Sequence, residues 1–540
     1  MLRFYDDELH NLILVANRNF SEIIDHTSKY DFHPPVQYLL NKISLQLFGL
    51  NEFWLSLPSI LLIILAIIIC IKLVYQITNS AKLSVITGLL IAINPLILLW
   101  GSSIRWYPLW TFLIILAVHL FIKLWSKKKK SLILIIGLII TLSFALYTNY
   151  QTIPFLIATT LTVIILDFKR KNFINLKKTV IVILGTFILF IPYLSVFKFH
   201  IQSFFERKEI YQGFTGTSPI VSGGYFLFSV IFGNSIYPWQ KSFIILFTIG
   251  FSSVIISIVS FYLKSKKEKY TDNNVQDIFT KEKCNNSLNN ILLSEIVLYT
   301  FILTVVFLLQ SIISSTLINR GVIFLPMLLI TVGILFIYRL YNSYQIISKL
   351  KLIHFSLVIS MSSLIIIWMI GSYNVFTKQH LHKSGLAIPL KTIITFIENI
   401  QNDSRENISI ITTDPVLTYY LLKENYTSVL SPYLNDDLKL INRMKTKVAI
   451  DCNKIIYIQS ELGTLLPLKN KLSNYIDYLH STGKLVSKPE KIGYDPDYSM
   501  KSNFFASAGL EEWKYTVYIF SPLTKWDIKY LQSINEFKVY

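Results

Sequence analysis

Ten apolar runs, each roughly the length that crosses a bilayer, constrain this chain more than anything else in it. They fall at about 53–75, 83–100, 107–125, 131–149, 152–167, 179–198, 241–263, 291–313, 321–340 and 352–374. A soluble chain has nowhere to bury so many long apolar segments. The sequence predicts a polytopic α-helical membrane protein, and composition agrees. Hydrophobic residues make up 53% of the chain and the mean hydropathy is +0.50, against about 45–50% apolar in soluble domains.

The formal charge is +19, from 51 Lys and Arg against 32 Asp and Glu. In a soluble protein that excess would suggest nucleic acid. Here the basic residues crowd into short loops: Lys127–Lys130, Lys169–Lys178, Lys264–Lys269, and Arg339 with Lys349 and Lys351. With ten alternating spans, all four clusters fall on one side. The positive-inside rule makes that side the cytoplasm, and nucleic acid drops out as a partner.

Three segments follow. Residues 1–52 form a first external stretch with an acidic motif and an interfacial helix around Val36–Phe48. Residues 53–375 are the transmembrane part, with a long external loop at 199–240 in which Gly223–Phe232 is apolar but too short to cross. Residues 376–540, where charges return, read as a small external α/β domain. Its expected helices are Leu386–Ile400, Asp414–Leu422 and Leu465–Leu479, and its expected strands Ile408–Thr412, Lys454–Gln459 and Tyr515–Ser521. Cys70, Cys284 and Cys452 fall in a span, a polar loop and the terminal domain, so no pairing is expected among them.

This topology gathers chemistry on one face. Asp6, Asp7, Glu8, Asp31 and His33 precede the first span, Arg105-Trp106-Tyr107 and Tyr147-Thr148-Asn149-Tyr150 lie between spans, and Asn319-Arg320 lies ahead of a late one. Arginines can grip phosphate oxygens, a carboxylate can take a proton from a hydroxyl, and aromatics can stack on a sugar. Each residue also has a plainer reading. External acids can be solvated, arginines at helix ends can anchor at the interface, and tyrosines can form an interfacial belt. No HExxH, CxxC or tight histidine cluster appears, and no glycine loop that cradles phosphate.

The order of these features resembles one family. Asp7-Glu8, then Asp31-Phe32-His33-Pro34-Pro35, then Phe48-Gly49-Leu50-Asn51-Glu52-Phe53-Trp54-Leu55-Ser56-Leu57-Pro58-Ser59 look like the bacterial relatives of dolichyl-phosphate-mannose protein mannosyltransferases. These are C-type glycosyltransferases with polyprenyl-phosphate donors. Asn94-Pro95, Arg105-Trp106-Tyr107, Leu146–Tyr150, and Arg320 with Pro326 continue the pattern. The likeness spans about residues 5–340. Two features depart from it. Ser103 stands where the family commonly has an acidic residue, and no apolar span precedes Asp7 in this sequence, so an upstream in-frame span is expected.

The resemblance implies an integral membrane enzyme of the bacterial inner membrane, with its C-terminal domain periplasmic. It would move one sugar, with inversion, from a polyprenyl-phosphate donor to a lipid, glycan or protein acceptor. Asp7 would be the general base, with Glu8 and Asp31 orienting acceptor or donor. Arg105 and Arg320 would hold the lipid phosphate, with His33, Tyr107 and Tyr147 also at the substrate. No cofactor is implied, and a divalent metal is left open. The rivals are a transporter or flippase, which expects ionisable groups within the spans, and a polymerase or ligase of lipid-linked polysaccharide.

Overall fold

The computed structural model describes residues 6–16, 18–31, 33–126, 132–206, 219–268, 287–314, 321–344, 351–377, 390–404, 408–412, 417, 420–421, 429–430, 454–460, 490–492 and 515–520. The chain divides into two compact units. One holds Met1–Ile23 and Lys383–Tyr540, the other Ile24–His382. The expected first segment, 1–52, is therefore shared between two units.

The helices run in order as α1 (Asp6–Ala16), α2 (Phe20–Tyr30), α3 (Val36–Phe48), α4 (Glu52–Thr78), α5 (Ala81–Ala92), α6 (Pro95–Trp100), α7 (Tyr107–Ser126), α8 (Leu132–Thr148), α9 (Thr152–Arg170) and α10 (Ile174–Phe190). After a 3-10 turn come α11 (Leu194–Glu206), α12 (Pro219–Phe232), α13 (Lys241–Glu268), α14 (Ser287–Ser314), α15 (Phe324–Tyr344) and α16 (Lys351–Thr377). Every expected span carries helix. Among the described residues, six stretches are long and apolar enough to cross a membrane: Glu52–Thr78, Tyr107–Ser126, Thr152–Arg170, Ile174–Gln202, Leu293–Ile313 and Phe355–Thr377. Ala81–Ala92, Leu132–Thr148, Pro219–Phe232, Lys241–Ser257 and Phe324–Arg339 are shorter apolar helices.

Two expectations change. The run 83–100 is not one helix. Pro95 has no N–H to donate, and the residue before a proline is driven out of the helical region. Asn94 is accordingly extended, and its side chain caps α6 by accepting from the N–H groups of Leu96 (3.0 Å) and Ile97 (3.3 Å). The stretch 199–240, expected as a long loop, is mostly helix in its described part: the end of α11 and all of α12.

The membrane unit packs α4 on α5 and α7, α7 on α8, and α13 along α16. The α13–α16 seam uses small residues. Ser360 donates to the carbonyl of Gly250 at 3.1 Å, and a Cβ on Gly250 would stand 3.2 Å from that of Ser363. Such approach is how helices gain contact where water offers no driving force. At one end of the bundle α9, α10 and α14 are joined by polar contacts. Arg170 pairs with the buried Glu295, Asp167 accepts from Asn175 at 3.0 Å, and buried Lys178 donates to the carbonyl of Leu124 at 3.1 Å.

The other unit holds α1, α17 (Leu390–Ser404) and a mixed sheet in the order β2-β1-β3-β5-β4. The strands are β1 (Ile408–Thr412), β2 (Val429–Leu430), β3 (Lys454–Ser460), β4 (Glu490–Ile492) and β5 (Tyr515–Phe520). β1 runs parallel to β2 and β3, and β5 antiparallel to β3 and β4. Alternate residues Ile408, Ile410 and Thr412, with Ile456, Ile458 and Val517, are buried, as a half-covered sheet requires. Ile393 and Ile397 are buried one turn apart on α17. The three expected strands are β1, β3 and β5. The expected helix 465–479 lies outside the described residues, as does most of 414–422.

Candidate active site

Asp31 directly follows α2, and Pro34-Pro35 leads into α3. The short turn between them folds onto the carboxylate. The backbone N–H of His33 donates to Asp31 Oδ1 at 3.2 Å, and His33 Nδ1 lies 3.0 Å from the same oxygen. A carboxylate oxygen can only accept, so Nδ1 carries the proton and Nε2 is the nitrogen left for a ligand. The hydroxyl of Tyr38, in the first turn of α3, donates to Asp31 Oδ2. The Asp31 side chain is only 13% exposed. Burial by itself pushes its carboxyl up. The His33 hydrogen bond and charge, the Tyr38 hydrogen bond and the charge of Arg105 together outweigh that and hold it well below the usual carboxylate range. The surroundings of Asp31 therefore favour its carboxylate form.

The charge of Arg105 is felt at Asp31, and the 101–106 loop that carries it is fixed to α3. The carbonyl of Ile104 accepts from Gln37 Nε2 and from Asn41 Nδ2, both at 2.9 Å. Ser103 accepts from the backbone N–H of Arg105 at 3.2 Å, a turn-forming hydroxyl within the loop. Arg105 itself is 9% exposed.

Trp106 builds the neighbouring wall. Its ring lies 6.2 Å from that of His33, 4.5 Å from Tyr107 and 6.0 Å from Trp110. Tyr107 also packs edge-on against Trp100. Trp110 Nε1 donates to Thr152 Oγ1 at 2.9 Å, which ties this wall to the α8–α9 turn. Gly321 closes it, since a Cβ there would run into the Trp106 ring and the Gln151 side chain. Overfilling a packed site costs about 1–3 kcal/mol. Gly321→Ala should therefore lower the melting temperature of the purified protein and alter its tryptophan emission. An unchanged melt and spectrum would show that this contact is loose.

The remaining expected site residues are placed differently. Tyr147 uses its hydroxyl on the carbonyl of Leu189 at 3.1 Å and packs on Phe190 and Tyr193, so its contacts are those of helix packing. Asp7 and Glu8 lie on α1, in the unit with the terminal sheet. Glu8 is buried at 5% exposure, while the Asp7 side chain is outside the described residues, as is Arg320. Sequence reading missed Tyr38, Gln37, Asn41 and His200. All act through contacts between segments, and Tyr38 alone had a local signal, one turn into a proline-started helix. Among the described residues no three His, Cys, Asp or Glu side chains are grouped to hold a metal ion.

Residues 32–196 match the family model described as dolichyl-phosphate-mannose-protein mannosyltransferase. That segment contains His33, Arg105 and Tyr107 and begins one residue after Asp31. No curated protein matches the chain. Among solved structures, ArnT from Cupriavidus metallidurans bound to undecaprenyl phosphate is similar at 12% identity, over 96% of this chain and 94% of that one, with a TM-score of 0.45. Apo ArnT from the same organism gives 11% identity, the same coverage and a TM-score of 0.48. The Archaeoglobus fulgidus oligosaccharyltransferase in complex with zinc and sulfate gives 11% identity, over 84% of this chain and 64% of that one, with a TM-score of 0.42. The chain is thus a polytopic helical membrane protein that resembles, over residues 32–196, the dolichyl-phosphate-mannose-protein mannosyltransferases of the C-type glycosyltransferases.

Proposed function

We propose that this protein is an inverting glycosyltransferase of the bacterial inner membrane. It moves one sugar from a polyprenyl-phosphate donor to a lipid, glycan or protein acceptor on the external face. The observation that carries this reading is the Asp31 carboxylate, hydrogen-bonded to His33 and Tyr38 and held below its ordinary range in part by the charge of the buried Arg105, beside the segment that matches the mannosyltransferase family model. The leaving group is a lipid phosphate, which departs as an anion. A fixed guanidinium stabilises that charge as it develops, and charges and dipoles aimed before the reaction usually accelerate it more than any other single effect. Asp31 is too weak a base to deprotonate a hydroxyl efficiently at neutral pH. It suits holding His33 and Tyr38 in place and orienting the donor, while Asp7 takes the proton, as the family's Asp-Glu pair implies.

The external orientation rests on the basic loops. Lys169, Arg170, Lys171, Lys177 and Lys178 lie at the α9–α10 connection, at the opposite ends of these helices from the α8–α9 turn that meets Trp110. The positive-inside rule makes the basic side cytoplasmic. The C-terminal unit follows α16 on the external side by the same alternation.

The test compares surface glycolipids and glycoproteins by mass spectrometry in cells with and without the gene. Loss of a single sugar from one class of acceptor is the expected result, and it names donor and acceptor together. Identical glycans in both strains, with full restoration of the gene producing no difference, would remove the transferase reading.

A further inference from the structure

We infer that His200 is a positioning residue for Asp31, acting by hydrogen bonds that fix the last turn of α2, the helix that Asp31 directly follows. The inference rests on the proposed role of Asp31 in sugar transfer. α2 has 11 residues, below the roughly 12–15 at which an isolated helix becomes marginally stable. Phe20, Ser21, Glu22, Ile24, Asp25 and Lys29 are all exposed. Among its described side chains, Ile23 and Thr27 are the buried ones. Its position must therefore come from anchors to the rest of the chain.

His200, on α11, supplies one at the right place. It is 2% exposed. Its Nε2 lies 3.0 Å from the carbonyl oxygen of Thr27, one turn before Asp31, and its Nδ1 lies 2.8 Å from the hydroxyl of Tyr150 in the α8–α9 turn. The Thr27 carbonyl can only accept, so Nε2 carries the hydrogen. Burial first, then the neighbouring Tyr193 and the charge of Asp31, hold the Tyr150 phenol well above its ordinary value, so Tyr150 keeps its proton. Neutral His200 then meets both contacts at once, donating through Nε2 and accepting through Nδ1. On the far side of Asp31, α3 is held independently by Gln37 and Asn41 on Ile104. Asp31 thus sits between two clamps, and His200 is the one on the α2 side.

A glutamine can reproduce the pattern, since its amide donates through nitrogen and accepts through oxygen at a separation close to that of the two ring nitrogens. A leucine fills similar space and does neither. The experiment uses the full chain in lipid nanodiscs and compares wild type, His200→Leu, His200→Gln and Tyr150→Phe. Three readouts are taken: amide hydrogen exchange of residues 24–31, binding of undecaprenyl phosphate, and transfer of the sugar named by the glycan comparison. A small misplacement of a reacting group can cost on the order of a hundredfold in rate. His200→Leu should therefore cut transfer at least about tenfold and speed exchange of 24–31 by a similar factor. Binding of undecaprenyl phosphate should change little, because the Arg105 loop is clamped elsewhere. His200→Gln should restore both exchange protection and transfer to within about threefold of wild type. Tyr150→Phe should lie between, and combining it with His200→Leu should add little, as expected of residues in one chain of contacts.

If His200→Leu keeps wild-type exchange, or His200→Gln fails as badly as His200→Leu, the inference is wrong. Failure of the broader reading looks different. Wild type would then neither bind undecaprenyl phosphate nor transfer sugar, and the exchange comparison alone would still decide whether His200 holds α2.

Discussion

Replacing Asp7 by Asn should leave membrane insertion and protein amount unchanged and cut sugar transfer by at least about a hundredfold. A general base that removes a proton in the transition state is worth roughly 10²–10⁴-fold in rate, or about 3–5 kcal/mol of barrier. Asn keeps the shape of Asp and cannot take that proton. Two carboxylates compete for the role, and their surroundings separate them. Asp31 is held by His33, Tyr38 and Arg105 far below the ordinary carboxylate range, which makes it a dependable anion and a poor base. Asp7 stands on α1 directly before Glu8, where the family resemblance puts its Asp-Glu pair. Asp6→Asn should cost much less, so it serves as the control. The assay is transfer of labelled sugar in membranes, normalised to protein. If Asp7→Asn retained most activity while Asp31→Asn abolished it, the base would have to be Asp31, and its hydrogen bonds would have to rearrange when substrate binds.

Much of this architecture is legible in the amino-acid order alone. Apolar runs and basic loops are local signals, and every expected span carries helix. Strands such as Lys454–Ser460 show themselves through β-branched and aromatic alternation. The break at Asn94-Pro95 is also written in the sequence, since a proline preceded by a capping residue starts a helix. Apolar composition masks it by running on through both halves. The site is legible only in part, for a different reason. His33 and Arg105 belong to short ordered motifs. Gln37, Asn41 and His200 act on partners such as Ile104 and Thr27, the latter 173 residues from His200, and no local pattern reports a contact at that range. Tyr147 shows the converse. Its motif suggests substrate, while its hydroxyl serves the Leu189 carbonyl.

Arg105→Gln should lower transfer by about 10²–10³-fold, the usual cost of removing one preorganised group from the site where transition-state charge develops. Gln is shorter than Arg and keeps a polar amide, so the loss reports the charge together with the reach of the guanidinium. Arg105 is only 9% exposed, and its position is set by the Ile104 carbonyl between Gln37 and Asn41, so the cation is aimed before the donor arrives. Arg105→Lys should recover only part of the rate. An ammonium restores the charge without the planar fork that grips two phosphate oxygens together. The kinetic split then identifies what the charge does. If Arg105 stabilises the departing lipid phosphate, kcat falls while KM for the donor moves little; if it only holds the donor, KM rises and kcat stands. The first outcome is expected, because phosphate charge grows as the sugar leaves. Transfer by Arg105→Gln within about threefold of wild type would remove Arg105 from the chemistry, and would leave it the lesser task of keeping Asp31 ionised beside His33.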